Sequence, residues 1–302
     1  MLFVKNGHVK TMAGREFRNG CVLMDDNGKI AAVGENLDAP AGATVIDAQG
    51  RLVTPGVVEA HCHIGLDNEG IGWEGRDYNE IVDPITPQMR AIDSIYPQDE
   101  AFANAIAGGV TTACTGPGSA NVIGGTFVAI KLYGKRVDNM VVKNPLAMKC
   151  AFGENPKRCY GQGAKKSPMT RMAVAALLRE TLFRTKRYMQ DKADGKNPPF
   201  DMKLEAMEPV LRGEIPLKCH AHRADDILTA VRIAKEFGVG LTLDHCTDGA
   251  LIADELGKEG YPAFVGPTLG GKSKVELQNK SFTTPKALYD AGVKISIITD
   301  AP

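Results

Sequence analysis

The sequence lacks both an excess of charge and any long apolar segment. Among its 302 residues, 36 Lys and Arg residues balance 36 Asp and Glu residues, so there is no net charge to attract a phosphate backbone or an anionic membrane. No apolar run approaches the roughly 18 to 20 residues that a membrane-spanning helix needs, and the N-terminus has no signal-peptide core. We therefore expect neither nucleic acid nor a membrane as a partner, and we expect a cytoplasmic location.

The cysteine content argues against a disulfide framework. Seven cysteines are an odd number for paired bridges, and no two of them have Cys-x-x-Cys spacing. Reduced thiols in a reducing compartment are the simplest interpretation. With 43% hydrophobic and 24% charged residues, the chain is a globular one that is long enough to bury a sizeable core.

The N-terminal segment has the pattern of a small sheet that is rich in hairpins. Apolar or alternating segments, separated by turn signals such as Asp26-Asn27-Gly28, predict strands at 2–4, 20–25, 29–33 and 44–47. From residue 52 onward, buried strands alternate with amphipathic helices. We place the boundary near Thr54-Pro55, which divides the chain into a small β-sheet domain at 1–53 and a second domain at 54–302.

The second domain is predicted to be an α/β domain of the (β/α)8 barrel type, with a parallel sheet. Helices with capping signals are expected at 98–107, 167–187 and 224–237, and further helices are expected at 203–211, 249–257 and 284–290. Apolar runs of strand length lie between them, at 57–60, 110–114, 126–131, 145–152, 216–219, 240–243, 263–265 and 294–299. About eight strands favour a closed barrel, and no glycine-rich dinucleotide fingerprint supports a Rossmann fold.

Five of the six histidines fall in three clusters, each at the C-terminal end of an apolar run. The clusters are His61 with His63, His220 with His222, and His245. In a barrel, this edge carries the catalytic residues, because its loops vary without disturbing the packing. His61 and His63 are two residues apart and project to the same face, where a pair of neutral imidazoles is a competent ligand set for a metal. A lone histidine in a strand is more often a core residue, but three clusters at three strand ends indicate a site.

The last predicted strand delivers Asp300 to the same edge. A carboxylate there is suited to binding a metal and to accepting a proton from water. The alternative is that Asp300 is only an N-cap or turn residue, because the sequence Asp-Ala-Pro favours a turn. Cys62, Cys219 and Cys246 are sequence neighbours of the histidines and point to the opposite face. We therefore interpret these thiols as wall residues rather than ligands.

The string Val53-Thr54-Pro55-Gly56-Val57-Val58-Glu59-Ala60-His61-Cys62-His63 resembles the signature of the amidohydrolase superfamily, in particular its imidazolonepropionase-like branch. His220 before a helix, His245 at the end of the next strand and Asp300 after the last strand occur in the order that this family requires. The resemblance covers the whole chain. It implies a barrel paired with a small N-terminal β-sandwich-type domain, and a divalent metal that activates water to hydrolyse amide or related C–N bonds.

The resemblance also implies roles for individual residues. His61 and His63 would hold one metal, His220 and His245 would hold a second metal or contact the substrate carbonyl, and Asp300 would be both ligand and general base. His245 would also stabilise the oxyanion, and His222, without an assured counterpart, would be a substrate contact or a ligand. Zinc suits imidazole and carboxylate ligands best, with Mn or Fe as substitutes, and one or two ions are compatible with this set.

Two residues, Glu154 and Lys149, are candidates for the ligand that would bridge two metals. Many binuclear members use a carboxylated lysine on the fourth strand, and others use a glutamate. Glu154 lies at the end of the strand, whereas Lys149 lies roughly 16 Å earlier at the usual strand rise. We therefore favour Glu154 as the ligand and Lys149 as a wall residue, with a surface turn as the simple alternative for Glu154.

Loops after the strands offer candidates for substrate binding. The long segment 65–87 contains the single tryptophan, Trp73, and is expected to act as a lid or pocket wall. Arg158 and Arg223 follow site strands and are placed to clamp a substrate carboxylate, although surface arginines are common.

These patterns predict a metal-dependent hydrolase that cleaves an amide-type C–N bond of a small molecule, either non-peptide or dipeptide-like. A hydrolytic deaminase of an aminoheterocycle is the nearest alternative, and it would release ammonia. A non-catalytic scaffold is the third hypothesis, and the intact set of histidines with Asp300 argues against it. A homo-oligomer is compatible with the sequence.

The sequence ends at Asp300-Ala301-Pro302, directly after the last predicted strand. A closed barrel needs a final helix to cover its outer face, and the amidohydrolases that it resembles return to the N-terminal sheet with further strands. We therefore expect this sequence to be part of a longer chain whose C-terminal part is missing. Alone, it is expected to expose apolar surface and to associate.

Overall fold

The structure is a computed structural model that describes residues 1–301; Pro302, the last residue of the predicted barrel domain, lies outside the described residues. The chain forms two compact units, which meet in sequence at Val57 and Val58. We describe each unit by itself.

The first unit holds one mixed five-stranded sheet. Its strands are β1 (Leu2–Lys10), β2 (Glu16–Met24), β3 (Ile30–Gly34), β4 (Thr44–Asp47) and β5 (Leu52–Val53), in the order β3-β2-β1-β4 with β5 also paired to β1. The β2–β3 hairpin forms because the Asp25 side chain accepts hydrogen bonds from the backbone of Asn27 and Lys29, while Gly28 adopts a φ of 71°. The predicted sheet is therefore present, and its first strand continues well beyond the predicted 2–4.

The second unit contains an eight-stranded sheet that nearly closes into a barrel. Its strands, in their order around the sheet, are β6 (Val57–Cys62), β7 (Val110–Thr115), β8 (Ile123–Lys131), β9 (Val141–Ala151), β10 (Leu217–Ala221), β11 (Leu241–His245), β12 (Ala263–Val265) and β13 (Ile295–Ile297). Just beyond β6 and β13, the backbone N–H of His63 donates to Ala301 at 2.6 Å and that of Asp300 donates to His61 at 3.3 Å. The predicted barrel is confirmed.

One strand departs from the predicted all-parallel arrangement. β8 pairs antiparallel with both β7 and β9. The expectation of eight parallel strands is wrong here, because residues 116–122 and 132–140 are too few for the crossover of a dozen or more residues that parallel neighbours require. As a result, the loop at 116–122 stays at the edge where β7 ends.

Helices pack against the outside of the barrel. They are α1 (Glu100–Ala107), α2 (Glu154–Pro156), α3 (Arg171–Ala193), α4 (Met202–Leu211), α5 (Ala224–Phe237), α6 (Ala253–Glu259) and α7 (Thr284–Asp290), and a π-helical turn at Lys157–Gly163 follows α2. Asp99 and Asp201 cap α1 and α4 with their side chains, and Gly238, with a φ of 66°, ends α5. α3 begins later than predicted because Thr170 is its N-cap.

The main core lies between the strands and these helices. It joins Leu178 and Leu182 of α3 and Ile227 of α5 to strand residues such as Leu217 and Leu243, all of which are buried. Within residues 1–301, no helix combines the length and the apolar character needed to cross a bilayer.

Candidate metal centre

Five buried histidines form one continuous cluster at the edge where the barrel strands end. Ring centroids are 5.4 Å apart for His61 and His63, 5.4 Å for His61 and His245, 4.5 Å for His220 and His245, and 4.6 Å for His220 and His222. Three separate strand ends supply them, because each strand finishes at the same edge. The structure thus brings together the three histidine clusters that the sequence analysis singled out.

Asp300 joins this cluster from the segment after β13. Its Oδ1 atom lies 3.2 Å from His61 Nε2 and 3.5 Å from His63 Nε2. Asp300 and His245 both have left-handed backbone, with φ of 59° and 75°, which is uncommon for residues other than glycine. Such strain tends to persist at functional sites, where the surroundings hold the side chain in place.

Backbone carbonyls fix the orientation of two of the histidine rings. His63 Nδ1 lies 2.7 Å from the carbonyl oxygen of Gly116, and His245 Nδ1 lies 2.7 Å from that of Gly266. A carbonyl only accepts, so Nδ1 carries the proton in both rings and the lone pair of Nε2 is free. Gly266 has no room for a side chain, since a Cβ would lie 2.4 Å from the carbonyl oxygen of Ile298.

Burial favours the neutral form of four of these histidines by lowering their pKa. It lowers the pKa of His61 to about 3 and holds the pKa values of His220 and His222 well below the ordinary 6.5; it also lowers the pKa of His245. Burial alone would raise the pKa of Asp300, but His245, His61 and His63 lower it overall. At neutral pH, the site therefore presents neutral imidazoles and an ionised carboxylate, which are the forms that bind metals.

Several buried polar atoms of the cluster have no hydrogen-bond partner. They are both ring nitrogens of His61, Nδ1 of His220 and Oδ1 of Asp300. Two sets of three residues bring potential ligand atoms within 4.8 Å of one another, namely His61, His245 and Asp300, and His220, His222 and His245. Unpaired buried acceptors are costly unless a partner satisfies them, and imidazole with carboxylate suits a divalent ion. The residues present therefore fit a metal.

The two candidates for the bridging ligand occupy different places. Glu154 belongs to neither set of three; its backbone N–H donates to Glu276, and its side chain faces a neighbouring cavity. Lys149 is fully buried inside the barrel, where its Nζ donates to Asp244 Oδ2 at 3.3 Å. The preference for Glu154 stays a prediction.

A polar cavity of about 480 Å³ has a charged lining that consists of Glu154, Lys157, Arg158, Arg171, Arg223 and Glu276. Its links to the cluster are Arg223, which follows His222 in the sequence, and Glu154, which precedes Asn155. Arg158 and Arg223 thus share one cavity, as a substrate clamp requires. However, Nε and Nη2 of Arg223 already donate to Asp225, at 3.0 and 2.9 Å. Trp73 is 87% exposed and does not line this cavity. A second cavity of about 350 Å³, with a largely apolar lining, contains none of the predicted site residues.

Sequence reasoning missed polar residues that contact the histidines from other loops. The Asn155 side chain lies 3.4 Å from His220 Nε2 and donates to Ser119 at 2.7 Å, and Lys274 Nζ donates to Asn155 Oδ1 at 2.8 Å. No motif marks Asn155, Ser119 or Lys274. Asp244 was also missed, although a charged residue inside an apolar strand is a signal that was available.

Comparison with known proteins gives consistent relatives. The solved structure of an amidohydrolase from Thermotoga maritima MSB8 is 43% identical, with a TM-score of 0.95 over 99% of this chain and 79% of that one. Amidohydrolase tasK of Hapsidospora irregularis is 29% identical over 317 residues, which cover 94% of this chain and 32% of the relative. A 67-residue segment, 22% of this chain and 15% of the relative, is 45% identical to a 5'-deoxyadenosine deaminase of Methanococcoides burtonii. No family model matches.

The fold and the site together define a class: a barrel protein with a candidate metal centre, made of histidines and an aspartate, at one edge of the barrel. The chain belongs to the amidohydrolase superfamily, as the extensive similarity to the Thermotoga protein shows. The predicted superfamily is confirmed, while the imidazolonepropionase-like branch stays a prediction. The chain spans a third or less of the length of the two curated relatives named above.

Proposed function

We propose that this chain provides the active site of a metal-dependent hydrolase that cleaves an amide-type C–N bond in a small molecule. The observation that carries the proposal is a pair of buried atoms without a hydrogen-bond partner, His61 Nε2 and Asp300 Oδ1, which lie 3.2 Å apart. A divalent cation would give both atoms a partner.

Six residues are proposed to hold one or two ions, with zinc favoured over manganese or iron. They are His61, His63, Glu154, His220, His245 and Asp300. When bound, such an ion lowers the pKa of water towards about 7 and polarises the substrate carbonyl.

Asp300 is the proposed general base. The pKa of its carboxyl group is lowered overall and the group is partly accessible, so the ionised form can take a proton from the attacking water. The same carboxyl group then delivers the proton to the leaving nitrogen. The tautomer of His245 favours a ligand role, because its proton is on Nδ1 and Nε2 has none to donate to an oxyanion.

The polar cavity lined by Glu154, Arg158 and Arg223 is the proposed substrate pocket. The turn after β9 supplies Glu154 to the cavity and Asn155 to His220, and the segment after β10 supplies Arg223 next to His222. Arg158 is exposed and would bind a substrate carboxylate, with Arg223 assisting if it exchanges its contact with Asp225.

A hydrolytic deaminase is the second candidate, favoured by the segment that is similar to the deaminase of Methanococcoides. Metal analysis of the purified protein, with a screen of lactams, N-acyl amino acids, dipeptides and aminoheterocycles, tests both. Release of ammonia would identify a deaminase, and release of an amine or opening of a ring would identify an amidohydrolase. A protein that binds no divalent metal with His61 and His63 would contradict the proposal.

A further inference from the structure

A charged group lies inside the barrel, beneath the histidine cluster, and the proposed mechanism does not use it. It consists of Lys149, Lys218 and Asp244, whose exposed fractions are 0%, 2% and 0%. Lys218 Nζ donates to Asp244 Oδ1 at 2.9 Å, and Lys149 Nζ donates to Asp244 Oδ2 at 3.3 Å. Burying three charges is expensive, so such a group calls for a reason.

The two lysines fix the Asp244 carboxylate in one orientation. Each oxygen has its own cationic donor, so rotation of the carboxylate about its axis would cost two charge-assisted hydrogen bonds. Burial alone would raise the pKa of Asp244, but Lys218, His61 and Lys149 hold it well below its usual range. The group therefore presents an immobile anionic oxygen to its surroundings.

His61 lies against that oxygen. Its Nδ1 is 3.2 Å from Asp244 Oδ2 and has no other partner, although the angle is outside hydrogen-bond geometry. Phe127 stacks on the imidazole, with centroids 5.3 Å apart and planes 29° apart, and this contact limits tilting of the ring. On the far side of the ring, Nε2 lies at the same distance, 3.2 Å, from Asp300 Oδ1, so the tautomer depends on which of the two carboxylates accepts the proton.

A comparison with His63 and His245 suggests what Asp244 does. In those two rings, a carbonyl oxygen at 2.7 Å from Nδ1 places the proton there and leaves Nε2 free. His61 has no carbonyl at Nδ1, and the carboxylate of Asp244 occupies the equivalent position.

We propose that Asp244 is a positioning residue that holds the proton of His61 on Nδ1, so that the Nε2 lone pair faces Asp300 and is available to a divalent cation. Lys218 and Lys149 keep the carboxylate in place for this purpose. The inference rests on the proposed metal centre, but the position of the proton is a property of the metal-free protein and can be tested without a metal.

The first test is the tautomer of His61 in metal-free, ¹⁵N-labelled protein near pH 7.5. Long-range proton–nitrogen NMR correlations distinguish Nδ1–H from Nε2–H imidazoles, and with six histidines the signals are assignable by single substitutions. We expect His61 to carry its proton on Nδ1 in the parent protein. A proton on Nε2 in the parent would overturn the proposal.

Asp244→Asn tests the carboxylate itself, and we expect it to lose the uniform Nδ1–H tautomer. Because this change leaves two buried lysines without an anion, the double variant Asp244→Asn with Lys218→Met is the matched partner: it keeps one net positive charge in the group, as in the parent. Thr242→Val, which changes another side chain of the same strand, is the control and should keep the parent tautomer. An unchanged Nδ1–H signal in the folded double variant would contradict the proposal.

The second readout is affinity for Zn²⁺, measured by competition with a chromogenic chelator. Loss of a group that orients a ligand typically lowers metal affinity about 10- to 100-fold, and we expect that loss in the double variant but not in Thr242→Val. Parental affinity in the double variant would contradict the inference alone. Absence of Zn²⁺ binding by the parent would contradict the proposed function, and the tautomer would then still decide the role of Asp244.

Discussion

The two sets of potential ligands in the histidine cluster differ in charge. One set, His61, His245 and Asp300, contains a carboxylate, whereas the other, His220, His222 and His245, consists of neutral imidazoles. Lysines lie near both sets, since after burial Lys149 contributes to the lowered pKa of His61, and after burial and the neighbouring histidines Lys274 contributes to that of His220. A dication therefore gains charge compensation from Asp300 in the first set, which the second set does not offer.

This difference indicates that the two halves of the cluster have different tasks. The half with Asp300 is the better site for a tightly held ion. In the other half, His220 contacts Asn155, and His222 precedes Arg223, which lines the polar cavity, so we propose this half for a weaker second ion or for the substrate.

The largest expected effect is on turnover. Asp300→Asn keeps the shape of the side chain but removes the base, so we expect turnover to fall by about 10²- to 10⁴-fold while the fold and much of the metal binding persist. Steady-state kinetics on the substrate found by screening, with circular dichroism as the fold control, measure this. Turnover within about threefold of the parent would exclude the role of general base.

The next effect is on metal affinity. His61→Gln removes a ligand from the set that contains Asp300, and we expect a loss greater than the roughly 10- to 100-fold typical of a supporting group. His222→Gln is the matched variant in the other set, with an expected loss below about tenfold. Equal losses of affinity in the two variants, measured by chelator competition, would show that the two sets contribute equally to metal binding.

The sequence alone predicted which residues meet in much of this candidate site, because each strand end can be identified from its neighbouring residues. His61 and His63 share a strand face through simple alternation, and the C-terminal ends of parallel barrel strands lie at one edge. Asp300 follows from the same rule. The direction of β8 was also accessible in principle, since the short segment 116–122 cannot hold a crossover.

The remaining features depend on contacts between distant segments. Asn155 meets Ser119 and Lys274 only because three loops converge at one edge, and no spacing rule connects those positions. Lys149 was expected to be a wall residue by distance along its strand, but its long side chain reaches Asp244 on β11. Side-chain reach and loop convergence are properties of the folded chain rather than of a pattern.

A pair of substitutions addresses the bridging ligand between the two sets. We expect Glu154→Gln to lower the amount of bound metal by up to one equivalent and Lys149→Met to leave it unchanged, if Glu154 is the bridge. Elemental analysis after dialysis against metal-free buffer measures both. Because Lys149 and Lys218 both hold the Asp244 carboxylate, Lys218→Met is the control. Loss of metal in Lys149→Met, but neither in Lys218→Met nor in Glu154→Gln, would assign the bridge to the lysine and would place that ligand inside the barrel.

The smallest expected effect concerns the thiols beside the ligands. Cys62 lies between His61 and His63 in sequence but faces the other side of the strand, and burial raises its pKa to about 12. Because the thiolate is the reactive form, iodoacetamide at pH 8.5 should leave Cys62 unmodified in the native protein and modify it after unfolding. Cys62→Ser should keep the parental affinity for Zn²⁺. A loss of affinity comparable to that of His61→Gln would make the thiol a ligand, and the cluster would then no longer divide into a set with Asp300 and a set of imidazoles alone.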